Sequence, residues 1–200
     1  MTVTDSAHAL QDAHAVLFEG ARTHNAWLAR KVSADTLRDL YDRLRWAPTS
    51  ANSNPGRFVF LRSSAAKQRL KPHLSPQNVD KTMSAPVCVV VAADNQFYDH
   101  MPVLSPQRDF RAIFAVAPAI ADETATRNAI LQGAYLILAA RSLGLDCGPM
   151  SGFDRKAVDG EFFPDGRWQS NFLVNIGYGD ESKLWPRNPR LAFDDACQIL

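Results

Sequence analysis

The sequence predicts an α+β fold in a single domain spanning residues 1–200, and three observations carry that reading. Helical patterns and β-branched runs are both present, but without the regular strand–helix–strand alternation that a doubly wound parallel sheet requires. No repeat, low-complexity tract or Gly/Ser linker divides the chain. A hydrophobic share of 46% over 200 residues supplies one sizeable core and falls short of two.

Ser6 is placed to cap a first helical segment on which Leu10, Leu17 and Phe18 share a face. Ser33 is placed to cap a second, with Leu37, Leu40, Tyr41 and Leu44 on one stripe. That segment ends at Trp46-Ala47-Pro48, because proline disfavours helix in the residue before it. The polar run from Pro48 to Gly56 reads as loop. Arg57 to Arg62 alternates weakly and reads as a strand. Pro86 to Ala93 is a continuous β-branched run, which fits a strand buried on both faces. Residues 94–118 mix aromatics and prolines without a period, as a cover over a binding site would. From Asp122 to Leu143 the pattern is helical and apolar nearly all round (Ile130, Ala134, Tyr135, Ile137, Leu138, Ala139), so this helix should be buried in a core or a dimer interface. Gly144 suits its C-cap. Asp146 to Gly152 is a tight small-residue segment, and Asn171 to Ile176 is the last strand.

Twenty-two Lys plus Arg against 21 Asp plus Glu leave a net charge of +1, without the basic excess of a nucleic-acid binder. No apolar run approaches the roughly 20 residues needed to cross a bilayer, and the first residues do not resemble a secretory signal. Cys88, Cys147 and Cys197 are odd in number and far apart, which fits reduced thiols in the cytoplasm. Nucleotide-loop, zinc-protease and serine-hydrolase motifs are absent. His8, His14, His24, His73 and His100 fall at no metal-ligand spacing, so no metal is expected.

Four polar clusters remain. Arg22-Thr23-His24-Asn25 offers a guanidinium fork for phosphate together with hydroxyl and amide groups. Pro48-Thr49-Ser50-Ala51-Asn52 has short side chains that cap a turn or donate to a ligand. Asn78 and Lys81 stand at i, i+3 and share one face of a helical turn. Gly148-Pro149-Met150-Ser151-Gly152-Phe153 lets backbone amides approach a flat ligand. Each cluster alone reads as well as a solvated helix end, an ordinary turn or surface decoration.

In this order, the four clusters and the closing Pro189-to-Asp195 stretch resemble the nitroreductase family of flavoproteins along essentially the whole chain. Arg22 to Asn25 stands at that family's phosphate motif, with Asn25 in place of its second arginine. Pro48 to Pro55 stands at its Pro-Ser-Ser-x-Asn-x-Gln-Pro motif, with Asn54 in place of the glutamine. Within the family, Arg22 to Asn25, Trp46 to Asn52, Gly148 to Arg155 and Asn175 to Asp180 are most similar to the malonic semialdehyde reductase subgroup.

The resemblance implies a mixed, mainly antiparallel sheet flanked by helices, an intertwined homodimer, FMN as cofactor, and NADPH or NADH as hydride donor. It implies cofactor contacts from Arg22, Thr23, His24, Asn25, Asn78, Lys81, Pro149, Met150, Ser151, Gly152, Arg187 and Arg190. Pro48, Thr49, Ser50 and Asn52 would come from the partner subunit. Lys81 would support the electron-rich edge of the flavin, whose N5 atom carries hydride. No side chain stands out as a proton donor. In the cover segment, Arg108 and Arg111 are placed to hold a substrate carboxylate if that stretch is helical. The competing readings are a broad nitroaromatic or quinone reductase, and a flavin-binding dimer without turnover.

Overall fold

The computed structural model describes residues 11–200. The proposed cap at Ser6, with His8 and Leu10, therefore lies outside the described residues. Residues 11–14 are helical and run into a π-helical turn, Ala15–Glu19. Phe18 is exposed rather than packed on this chain.

The fold is built on four strands, β1 (Gly56–Leu61), β2 (Val87–Asp94), β3 (Asp146–Met150) and β4 (Trp168–Gly177), in the spatial order β1-β2-β4-β3. All three strand pairings are antiparallel. The mixed character expected of the sheet shrinks, among the described residues, to one isolated parallel bridge between Thr23 and Cys147.

Every residue of β2 is buried, as its unbroken β-branched run requires of a central strand. Its side chains alternate between two layers. Val87, Val89 and Val91 join a core with the long helix and with α1 (Ala34–Leu44). Cys88, Val90 and Ala92 join a second core, packed against α2 (Ser64–Leu70), α3 (Pro76–Ser84) and the later α7 (Arg155–Phe162). Ser33 caps α1 by accepting from the Thr36 amide, and Leu37, Leu40 and Leu44 are buried on its inner stripe.

Residues 94–118 hold regular structure. They form a 3-10 turn (Phe97–His100), α4 (Met101–Leu104) and α5 (Phe110–Ala115), closed on a small core of Phe97, Met101 and Phe114. The aromatics that broke the periodicity are the ones that fill this core. The long helix α6 (Pro118–Ser142) starts earlier than its apolar pattern suggests, with Pro118 at its first turn. It ends where Gly144, at φ +71°, lets the Gly144 and Leu145 amides return to Arg141 and Ala140 carbonyls. α6 lies close on the sheet at Gly133, where any Cβ would run into the Phe172 ring.

The tight small-residue segment 146–152 is mostly strand β3. Gly and Pro argue against a strand in sequence, yet β4 is the one named strand that β3 pairs with, and its other edge carries only the single bridge at Cys147, so a proline is tolerated at position 149. The chain closes with α8 (Phe193–Ala196) in an exposed C-terminal stretch. No helix among the described residues is long and apolar enough to cross a membrane.

Candidate active site

A strap of extended chain, residues 22–28, crosses the edge of the sheet. The His24 amide donates to the Cys147 carbonyl at 3.0 Å, the Leu28 amide to Tyr178 at 2.8 Å, and the Asp180 amide to Ala26 at 3.0 Å. Gly148 is small because the His24 carbonyl lies where its Cβ would stand, so this glycine serves the strap's crossing. His24 itself is buried, its Nε2 3.3 Å from Asp146 Oδ1, and it fills the space against Gly179. The imidazole therefore locks the strap to β3 and does not line the groove formed beside it.

That groove, of about 530 Å³, gathers Arg22, Thr23 and Asn25 from the strap, Arg141 from α6, and Lys183, Arg187 and Arg190 from the C-terminal stretch. Five of its lining residues are cationic and none is a carboxylate. The guanidiniums bond to backbone carbonyls: Arg22 to Trp185, Arg187 to Glu19 at 2.7 Å and Ala21 at 3.1 Å, Arg141 to Leu17 at 3.0 Å, and Arg190 to Asn188 at 2.9 Å. These bonds lash three distant segments together but leave the positive charge without an ion-pair partner among the described residues, which is the electrostatic form of an anion site.

Helix α3 adjoins the strap. Lys81 Nζ donates to Asn25 Oδ1 at 3.3 Å, and the Trp27 indole donates to the Lys81 carbonyl at 3.0 Å. Burial lowers the Lys81 pKa by disfavouring the ammonium. One turn earlier, buried Asn78 donates through Nδ2 to the Gly152 carbonyl at 2.7 Å, which also accepts from the Ser75 amide at 3.0 Å. A Cβ at Gly152 would stand 2.6 Å from that amide nitrogen, so only glycine fits this turn as packed. Below it Thr82 Oγ1 lies 3.6 Å from Met150 Sδ and accepts from Asn175 at 3.2 Å. Asn78 thus fixes the 150–152 turn, with Ser151 exposed and the half-buried Lys81 one helical turn further on.

The loop from Pro48 to Asn54 does not reach this groove within one chain. It lies against α6 and α4: the Ser50 amide donates to Asn128 Oδ1 at 2.8 Å and Asn52 Nδ2 to the Leu104 carbonyl at 2.7 Å. Thr49 Oγ1 accepts from the Asn54 amide at 3.1 Å. Ala51, Asn52 and Asn54 all have positive φ (52°, 56° and 43°), a strained run held by these bonds. Gln132 completes the anchorage through the Gly56 amide at 2.7 Å.

Arg108 and Arg111 line a second cavity, of about 550 Å³, with Tyr98 and Phe110. The helical premise for this pair fails: α5 begins at Phe110 with Asp109 as its cap, so Arg108 precedes the helix. The two arginines share a cavity wall instead of a helix face. Arg111 pairs with Asp99 at 3.4 Å, whereas Arg108 lies over the Phe110 ring at 5.2 Å and forms no ion pair among the described residues.

Sequence reasoning missed Arg141, Lys183, Asn128 and Gln132. Asn128 and Gln132 left a trace, two amides at i, i+4 within a buried apolar helix, where each needs a partner. Arg141 left none, since an arginine in a last helical turn is ordinary.

A model of the nitroreductase family matches residues 19–178. A Rhodopseudomonas palustris (strain TIE-1) protein, provisionally named NADH dehydrogenase/NAD(P)H nitroreductase, is 65% identical over 184 residues, 92% of this chain and 94% of that protein. Among solved structures, a provisionally named nitroreductase of Bacillus subtilis superposes with a TM-score of 0.83 at 20% identity, covering 96% of this chain and 100% of its own. Another from Exiguobacterium sibiricum 255-15, solved in complex with FMN, also gives 0.83 at 21% identity, covering 94% and 97%. With the family model spanning the strap, the sheet and the 150–152 turn, this chain belongs to the nitroreductase family.

Proposed function

We propose that this protein is an FMN-dependent NAD(P)H oxidoreductase that reduces malonic semialdehyde to 3-hydroxypropionate, working as a homodimer in a reducing, cytoplasmic setting. The observation that carries the flavin reading is the groove with five cations and no carboxylate. The residues fit the group: FMN brings a phosphate, a polar ribityl chain and a flat ring. The groove offers the guanidiniums of Arg22, Arg141, Arg187 and Arg190 for the first. FMN in a structural neighbour and NAD(P)H in the name of the Rhodopseudomonas relative support the same reading.

In this reading Arg22, Arg187 and Arg190 hold the phosphate, and Thr23 and Asn25 bond the polar chain. Lys81 keeps a fixed positive charge beside Asn25, aimed where negative charge develops. Asn78 holds the Ser151–Gly152 turn in place, and that turn, with Pro149 and Met150, would contact the ring. His24 contributes by locking the strap. Bound flavin supplies the hydride chemistry, and the protein supplies placement and electrostatics.

The Pro48–Asn52 loop reaches the groove of a second copy. Support for that copy comes from Ile120, Ile130, Leu131 and Tyr135 exposed on α6, together with Leu191, Phe193 and Ile199 exposed near the C-terminus. The choice of acceptor rests on the subgroup resemblance and on the arginine-lined cavity, since a small aldehyde carrying a carboxylate calls for a cation.

Purified protein should be yellow, and NADPH or NADH should bleach it without air. Product analysis with malonic semialdehyde, a nitroarene and a quinone, each with either nicotinamide, tests the acceptor. Colourless protein that takes up no FMN refutes the flavin reading. Turnover of nitroarene or quinone with none of the aldehyde refutes the acceptor and leaves a general reductase.

A further inference from the structure

Asn25 is an uncharged amide where the phosphate motif this chain resembles carries its second arginine. The strap therefore brings only Arg22 as a charge to the groove. We propose that Arg141, in the last turn of α6, is a phosphate-binding residue of this site and restores the guanidinium that Asn25 lacks. The inference rests on the flavin reading above and adds a residue from outside the motif.

Three observations converge on it. First, Arg141 Nε is buried and has no hydrogen-bond partner among the described residues, although a buried guanidinium N–H that has lost its hydration is normally paired. Second, its one side-chain hydrogen bond among the described residues is to a neutral group, Nη1 to the Leu17 carbonyl at 3.0 Å, and it forms no ion pair there. Asp146, which shares an adjoining cleft with Arg141, has both oxygens engaged, Oδ1 near His24 and Oδ2 accepting from the Gly179 amide. Third, Arg141 lines the same groove as Arg22, Lys183, Arg187 and Arg190. It also stands on a helix end fixed by the Gly144 and Leu145 return bonds, which gives the guanidinium a rigid base.

An anion in the groove would meet the part of the Arg141 side chain that lines it and offset repulsion among five like charges. A purely structural Arg141 would only tie α6 to the chain at Leu17.

FMN and riboflavin separate these roles, because they share ring and ribityl chain and differ only in the phosphate. Deflavinated wild-type protein is titrated with each by flavin fluorescence, beside Arg141→Met and Arg141→Lys, with the melting temperature of each apoprotein recorded. Arg141→Met should raise the FMN Kd by about 10- to 100-fold, the size of one lost charge-assisted bond. Riboflavin affinity should stay unchanged. Arg141→Lys, which keeps the charge and loses the planar fork, should recover part of the FMN affinity and stands in if the methionine variant does not fold. Equal losses for both flavins, or none for either, overturn the role of Arg141 while the flavin site survives. Wild-type protein that binds neither flavin, or both equally, overturns the groove as a flavin-phosphate site and Arg141 with it.

Discussion

Lys81→Met deletes one charge and keeps most of the apolar stem. In the structure the ammonium has a single neutral partner, Asn25 Oδ1 at 3.3 Å, and no carboxylate within ion-pair reach among the described residues. Burial already lowers its pKa. Its charge is thus only partly hydrated and uncompensated, the condition under which a fixed cation acts most strongly on charge developing nearby. Removing one such preorganised group costs about 2–4 kcal/mol of activation energy, or about 30- to 900-fold in the rate of flavin reduction. The assay is anaerobic stopped-flow mixing of flavin-loaded protein with NADPH, read as loss of flavin absorbance.

Stability should move the other way. A lysine whose folded pKa lies below its unfolded value costs the folded state in full below the lowered pKa, and that cost is lost as pH rises from there through the ordinary lysine value. Deleting the charge therefore leaves the melting temperature at neutral pH unchanged or raised. The reduction rate of the wild-type protein should fall as pH rises through the lowered Lys81 pKa, and Lys81→Met should lack that alkaline limb. A flavin-loaded variant reduced within about threefold of wild type, with the same alkaline limb, refutes the reasoning.

Asp94 is buried and accepts from Arg57 Nη2 at 2.6 Å, Arg167 Nε at 2.9 Å and the Gln96 amide at 2.9 Å, so Asp94→Ala leaves Arg57 without an ion pair among the described residues and Arg167 with Asp99 alone at 3.3 Å. The loss should be about 3–5 kcal/mol, read as a melting-temperature drop of about 6–20 °C for a chain of this size. Cys88 and Cys147 are buried, with burial pushing each thiol up to about 12. Iodoacetamide at mildly alkaline pH should therefore label Cys197 alone in the native protein and all three thiols after unfolding, counted by mass spectrometry. Arg108→Gln should raise the KM for malonic semialdehyde by about tenfold or more, spare a quinone, and exceed the effect of Arg111→Gln, because Asp99 already holds Arg111. Sedimentation should give a flavin-bound dimer; a stable flavin-bound monomer would contradict the shared site.

The sequence alone determined the class of fold, its central strand and the order of the site motifs. Those features are local: an eight-residue buried strand needs an unbroken apolar run, a helix needs a cap and a stripe, and short polar motifs survive in the bare chain. Only the tertiary structure decided how the motifs are used. His24 looked like a ligand-binding member of its cluster, and became a buried lock because Asp146 lies opposite it once β3 pairs with β4. Gly148 looked suited to a flat ligand and instead makes room for the strap. Arg108 and Arg111 lost their shared helix face when Asp109 took the cap, and recovered a common cavity wall through packing. The anion groove itself joins residues 22, 141 and 187, whose charges lie far apart along the chain. Spacing records which side chains one helix or strand presents together; electrostatic partnership between distant segments exists only after the chain has closed on itself.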